Sequence, residues 1–145
     1  MKFAPVALFA YNRPDHFVKV VEALAQNTEA KSSPLYVFSD APRNDKASAG
    51  VAEVRKLARA VKGFASIEII EQSFNRGVAR SIVDGVTRLT AEFGRVIVLE
   101  DDLLPSPRFL RYVNCALDYY VEDERVISVH AYSYPVEENL PETFF

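Results

Sequence analysis

The stretch "RVIVLEDDLLPSPRFLRYV", residues 95–113, decides the fold. Its opening "RVIVL" (95–99) is a short apolar run of the kind that forms a strand covered on both faces. Three consecutive carboxylates follow at once: Glu100, Asp101 and Asp102. Ser106 and Pro107 then predict a helix start, with Ser as N-cap and Pro at the first helical position. Phe109, Val113, Ala116 and Tyr120 supply the apolar face of that helix. Strand and helix succeed one another here, and the acids stand at the mouth of the strand.

The same alternation runs through the rest of the chain. "PVALFAY" (5–11) reads as a first strand, and Pro14 and Asp15 open a helix whose stripe is Phe17, Val20, Val21 and Leu24. "LYVFS" (35–39) is a second strand, followed by the polar loop "DAPRND" and a helix with Val51, Val54, Leu57 and Val61 on one side. "SIEII" (66–70) is a third strand; Val78, Ile82, Val86, Leu89 and Phe93 mark the helix after it. "VISVHAY" (126–132) completes a set of five. Strands that alternate with helices predict an α/β fold: a Rossmann-like three-layer α/β/α arrangement around a mostly parallel sheet with right-handed crossovers. No internal repeat or linker divides the chain, so a single domain spans residues 1–145. The last segment, "SYPVEENLPETFF" (133–145), does not read as a capping element, and the expectation is that the chain stops short of something it packs against.

Bulk properties remove several function classes. With 145 residues, 49% of them hydrophobic and 26% charged, the chain can bury one real core. A net charge of −3 gives no footprint for nucleic-acid phosphates. The single cysteine, Cys115, excludes an internal disulfide and a multi-cysteine zinc site. No apolar run is long enough for a membrane span or a signal peptide core. A soluble, cytoplasmic protein is the expectation.

Ligands of open α/β sheets bind outside the carboxyl ends of the strands. The first strand delivers Asn12 and Arg13 there, the second Ser39 and Asp40. The loop after the third brings Asn75, Arg76 and Gly77, with Arg80 one turn further on, and the fourth strand brings the acids. In an extended chain Glu100 and Asp102 would share a face while Asp101 turns away. Two like charges on one face repel, and a hard divalent cation relieves that repulsion. The other reading is a solvated strand exit whose acids pair with Arg108 or Arg111. From the triplet alone the two balance; the polar strand ends beside it favour the metal. His16 is expected on the surface of the first helix, and Cys115 has no local histidine partner that would make it a nucleophile. His130, at the fifth strand, reads first as a packed or capping histidine and second as a residue lining the cleft.

"VIVLEDDLLPSPRFLRYV" resembles the acidic motif and following helix of GT-A-fold glycosyltransferases, nearest to the group around N-acetylglucosaminyltransferase I and to family 2-like transferases. "PVALFAYNRPDHFVKVVEAL" is similar to that family's first strand and helix, "LYVFSDAP" to its second strand ending in an aspartate, and "NRGVARSIVDGV" to the segment before the acidic strand. The resemblance covers residues 4–132. It implies a nucleotide-sugar donor, usually a UDP-sugar, held through Mn2+ or Mg2+. Position by position, it makes Asp102 the metal ligand, places Glu100 at the ribose or donor sugar, and puts Asp101 behind the metal or at the sugar. Tyr11, Asn12 and Arg13 would lie near the nucleoside, Asp40 would face the base, and Arg80 would lie near the ribose or diphosphate. The triplet is E-D-D, whereas the family pattern is D-x-D.

The resemblance further implies the N-terminal donor-binding portion of a longer enzyme, with a glycan or other hydroxyl acceptor and a catalytic base outside this segment. A sugar-nucleotide pyrophosphorylase would need a glycine-rich basic loop after the first strand, and "AYNRPDH" has no glycine. The remaining alternative is a non-catalytic module that binds a nucleotide-sugar or a protein partner through the same edge.

Overall fold

The computed structural model describes residues 3–132. Its elements are β1 (Val6–Ala10), α1 (Pro14–Ala25), a 3-10 turn (Thr28–Ser32), β2 (Pro34–Ser39), α2 (Asp45–Ala60), β3 (Ser66–Glu71), α3 (Val78–Phe93), β4 (Ile97–Glu100) and α4 (Phe109–Tyr119). The strands form a four-stranded parallel sheet in the order β3-β2-β1-β4. All five residues of β1 are buried, which explains why its sequence is an unbroken apolar run and does not alternate.

Residues on the two sides of the sheet enter two separate cores. Val6, Leu8, Leu35, Val37, Ile97 and Leu99 pack against Phe17, Val20 and Leu24 of α1, Val54 and Ala58 of α2, and Leu110 and Val113 of α4. Ala7, Phe9, Tyr36 and Phe38 face Leu89 of α3, with Ile82 and Phe93 beside it. Three helices therefore cover one face and α3 the other, which is the three-layer α/β/α arrangement expected. Phe9 and Phe38 stack at 4.9 Å between ring centroids directly under Gly85, where an added Cβ would lie 2.8 Å from Phe9 Cζ. That glycine lets α3 close on the aromatic layer.

Several expectations are corrected. Residues 126–132 join no ladder, so the described residues hold four strands and not five, and Ile127 is 96% exposed. An apolar run signals a tendency to be buried but does not name a neighbour. Here the turn at Tyr120–Val126, closed by Asp123 N–H to Tyr120 C=O and Val126 N–H to Asp123 C=O, leads the segment away from a strand path. A groove of about 890 Å³ lies between it and β4. Helix α4 begins at Phe109 rather than at Pro107. Its first turn is held by Asn27, whose Oδ1 accepts from Leu110 N–H at 2.9 Å while its Nδ2 donates to Ser106 C=O. Val78, expected on the apolar stripe of α3, is 62% exposed at the helix start. The segment 133–145 lies outside the described residues.

Candidate functional site

The strand order sets the location. From β1 the chain steps outward to β2 and β3 and then returns to place β4 on β1's other side. The direction of winding reverses between β1 and β4, and the carboxyl ends of those two strands are the crevice where such sheets take their ligands. Tyr11, Asn12 and Arg13 leave β1 at this point; Glu100, Asp101 and Asp102 leave β4.

Asp101 joins the two strand ends twice. Its backbone N–H donates to Phe9 C=O at 3.1 Å, extending the ladder by one step. Its side chain, 3% exposed, reaches back across the crevice: Oδ2 accepts from Tyr11 N–H at 3.2 Å, and Oδ1 accepts from Arg13 Nη2. The same Nη2 donates to Asp102 Oδ2 at 3.2 Å. The strand ends at Glu100 and the acids occupy a turn closed by Leu103 N–H to Glu100 C=O. Extended-chain alternation therefore does not carry past Glu100, and it is Asp101 and Asp102 that share a partner. That partner is Arg13, from across the crevice, and not Arg108 or Arg111. Glu100 is half-buried, in register with Phe9. Partial burial by itself would lower the Arg13 pKa, but hydrogen bonds and charge from Asp101, then Asp102, raise it above the ordinary arginine value.

Neighbouring residues fix the β1 exit. Tyr11 Oη accepts from Arg43 N–H at 2.9 Å. The Asn12 carbonyl lies so close to α2 that a Cβ at Gly50 would sit 2.6 Å from its oxygen. Asn12 is thus pressed under a helix at the one position where that helix has no side chain.

The β2 end is organised differently. Asp40, 8% exposed, accepts from Ala41 N–H and Arg76 N–H on Oδ1, both at 2.9 Å, and from Gly77 N–H (2.9 Å) and Asn75 Nδ2 (3.1 Å) on Oδ2. A carboxylate has about four lone-pair sites, and these are filled. Asp40 therefore holds the 75–77 loop against the sheet rim. Asn75 also donates to Ala41 C=O at 2.7 Å. Arg55 of α2 ties the β2 and β3 ends together from below, with Nη2 on Gln72 C=O at 2.7 Å and Nε on Ser39 Oγ at 3.2 Å. Arg76 pairs with Asp84 at 2.8 Å. Arg80 is mostly exposed and lies 3.7 Å from Asp84, away from the acidic turn's direct partners. His130 lines the groove beside β4, whose other end reaches Asp102, and His16 and Cys115 are exposed on α1 and α4.

Sequence reasoning named Arg13, Asp40, Asn75 and the acidic triplet as strand-end residues but missed what joins them. Arg13 is 88 residues from Asp101, and Asp40 is 35 to 37 residues from its loop partners. Arg55 carried no signal beyond being a charged residue on a helix.

No protein-family model matches the sequence, and no curated protein matches it. Solved structures do resemble it in fold. S. aureus TarS aligns with a TM-score of 0.57 at 13% identity, over 81% of this chain and 20% of that one. S. aureus TarS 1-349 in complex with UDP aligns with a TM-score of 0.55 at 12% identity, over 81% of this chain and 33% of that one. A looser likeness, TM-score 0.49 at 15% identity over 83% of this chain and 34% of that one, is to the mannosyltransferase PcManGT from Pyrobaculum calidifontis in complex with GDP-Man and Mn2+. The chain spans a fifth to a third of the length of these proteins. At such identities the likeness is one of α/β fold. No helix among the described residues is long and apolar enough to cross a membrane.

Proposed function

We propose that the chain is the donor-binding portion of a GT-A-type glycosyltransferase, of the N-acetylglucosaminyltransferase I-like kind. It would hold a nucleoside diphosphate sugar, in the first instance a UDP-sugar, across the β1–β4 crevice for transfer to an acceptor hydroxyl. The observation that carries this reading is the meeting of Arg13, Asp101 and Asp102 at the point where the winding of the sheet reverses. A fold shared with a protein that binds UDP supports it.

A divalent cation fits these residues on one structural ground. A single nitrogen of Arg13 touches both carboxylates, so the two acids converge on one position that accepts positive charge. Two carboxylates do not enclose an ion, and among the described residues no three His, Cys, Asp or Glu side chains gather about one point. Such a pair suits Mg2+ or Mn2+ that takes the rest of its shell from water and substrate phosphates. Asp102, nearly half exposed and engaged through Oδ2, would be the direct ligand; buried Asp101 would support it from behind. When bound, the cation supplies charge that offsets the developing diphosphate leaving group.

The chain's own residues do the placing. Asp40 contributes through the 75–77 loop, which it holds rigid beside the position of the base. Tyr11 and Asn12 line the nucleoside, fixed by Arg43 and by the approach of α2. Arg80, exposed in the first turn of α3, would exchange its long contact with Asp84 for a phosphate or ribose oxygen, and Glu100 would face the sugar end.

Calorimetric titration with UDP, in Mn2+ and in EDTA, tests the reading. Binding at least about tenfold tighter with the metal is expected, a coupling of ordinary size between two ligands. Asp102→Asn should abolish that difference while leaving the protein folded. A chain that binds UDP equally well under both conditions does not use the acids for a metal, and one that binds no nucleoside diphosphate at all is not a donor domain. The open groove along β4 favours a second reading, a module that seats a protein partner there; it predicts binding to a partner with no nucleotide affinity.

A further inference from the structure

The acidic turn already carries a cation of its own. Arg13 Nη2 donates to Asp101 and Asp102 together, and no other basic side chain of the described residues touches either acid. Any metal ion drawn to Asp102 therefore meets a guanidinium in place. Resting on the donor-binding reading, we infer that Arg13 is a built-in rival of the divalent cation. It neutralises the acidic turn while the crevice is empty, and it must leave Asp102 before a metal can bind there.

The two contacts of Arg13 differ in a way that makes the exchange feasible. Asp101 is buried and held by Tyr11 N–H as well as by the guanidinium, so that contact is anchored. Asp102 is 46% exposed and the Arg13 side chain 44% exposed, with 3.2 Å between them, so this second contact is solvent-screened and cheap to break. Arginine binds carboxylate and phosphate oxygens with the same planar fork. A diphosphate arriving in the crevice offers Arg13 a second set of anionic oxygens within reach of its loop. It also presents oxygens that complete the shell of a metal on Asp102. The nucleotide thus does two things at once: it draws Arg13 off Asp102 and supplies the metal ligands that two carboxylates lack.

Linkage then fixes the pattern of affinities. Without nucleotide, the metal must displace a bound guanidinium, so the wild-type chain binds Mn2+ weakly. Removing the positive charge frees the acids, so Arg13→Gln binds Mn2+ more tightly than wild type when no nucleotide is present. The same variant has lost a phosphate contact, so it binds UDP more weakly, and UDP raises its Mn2+ affinity less than it does for wild type.

The test is direct measurement of free Mn2+ by electron paramagnetic resonance, with and without UDP, for wild type, Arg13→Gln and Arg13→Lys, with circular dichroism to confirm folding. Expected is an affinity without nucleotide about tenfold higher in Arg13→Gln, with Arg13→Lys near wild type, because charge rather than shape excludes the metal. In wild type, the Nε–H resonance of Arg13 should shift when Mg2+ and UDP are added together and remain in place with Mg2+ alone; this readout needs no variant. Unchanged or weaker Mn2+ binding by folded Arg13→Gln overturns the inference. So does an Arg13 resonance unmoved by Mg2+ and UDP while UDP-dependent Mn2+ binding persists, and in both cases the donor-binding reading stands. Absence of Mn2+ binding to every protein, with or without UDP, overturns the inference and the use of the acids for a metal; the donor-binding reading falls with them only if UDP itself does not bind.

Discussion

Asp40 stands at the end of β2 with both carboxylate oxygens occupied, and what it does depends on its being acceptor-only. An asparagine has the same shape but keeps one oxygen and turns an NH2 group toward the other pair of donors. Whichever way the amide lies, it opposes either Ala41 and Arg76 N–H or Gly77 N–H and the Asn75 amide. Asp40→Asn should therefore lower unfolding stability by about 2–3 kcal/mol, the range for losing hydrogen bonds to a buried charge, and weaken UDP binding through the freed loop. Urea denaturation checks the first and calorimetry the second; a change below about 0.5 kcal/mol, the range of ordinary surface substitutions, would mean the loop is held by something else. In the sequence Asp40 was legible as a polar strand end. Its occupation was not, because backbone donors from a loop 35 residues away leave no residue-type signature.

At the scale of elements, periodicity placed the helices well where a helix packs on one flat layer. The stripe Phe17, Val20, Val21 and Leu24 of α1 is the buried set. It failed where a long-range contact decides the boundary: Asn27 caps α4 from another part of the chain, so the Ser-Pro start signal marks a turn. Gly50 is a similar case. In the middle of α2 a glycine costs about 1 kcal/mol relative to alanine, so the sequence suggests an easy stabilisation. The structure says the reverse, because a Cβ would meet the Asn12 carbonyl oxygen at 2.6 Å, and that atom is backbone. Gly50→Ala should destabilise by about 1–3 kcal/mol, the usual penalty for overpacking, and should push the β1 exit out of position, weakening nucleotide binding. A raised melting temperature with unaltered UDP affinity would show that α2 does not clamp the rim.

For the whole molecule, what can be read from sequence is the inventory of layers, and what cannot is their order. Four apolar runs and their helices predict a parallel sheet, yet nothing in them says that β4 lies beside β1, and only that adjacency brings Arg13 to Asp101. The fifth run went wrong for the same reason: "VISVHAY" has a strand's composition, but pairing depends on where the preceding turn delivers it. The two arrangements make different demands on Ile127. As a sheet residue between layers it would be buried, and cutting it back would cost about 2–5 kcal/mol, as for other core aliphatics. At 96% exposure it touches neither core, so Ile127→Ser should change stability by less than about 0.5 kcal/mol, as surface substitutions do. Leu99→Ala, by contrast, removes a side chain that is 4% exposed in the core shared by α1, α2 and α4, and should cost about 2–5 kcal/mol. Urea midpoints of the two variants, compared at equal slope, separate the cases. A large loss in Ile127→Ser would mean that in solution the segment closes on β4 as a fifth strand, covering the groove and burying the outer edge of the strand that carries the acids.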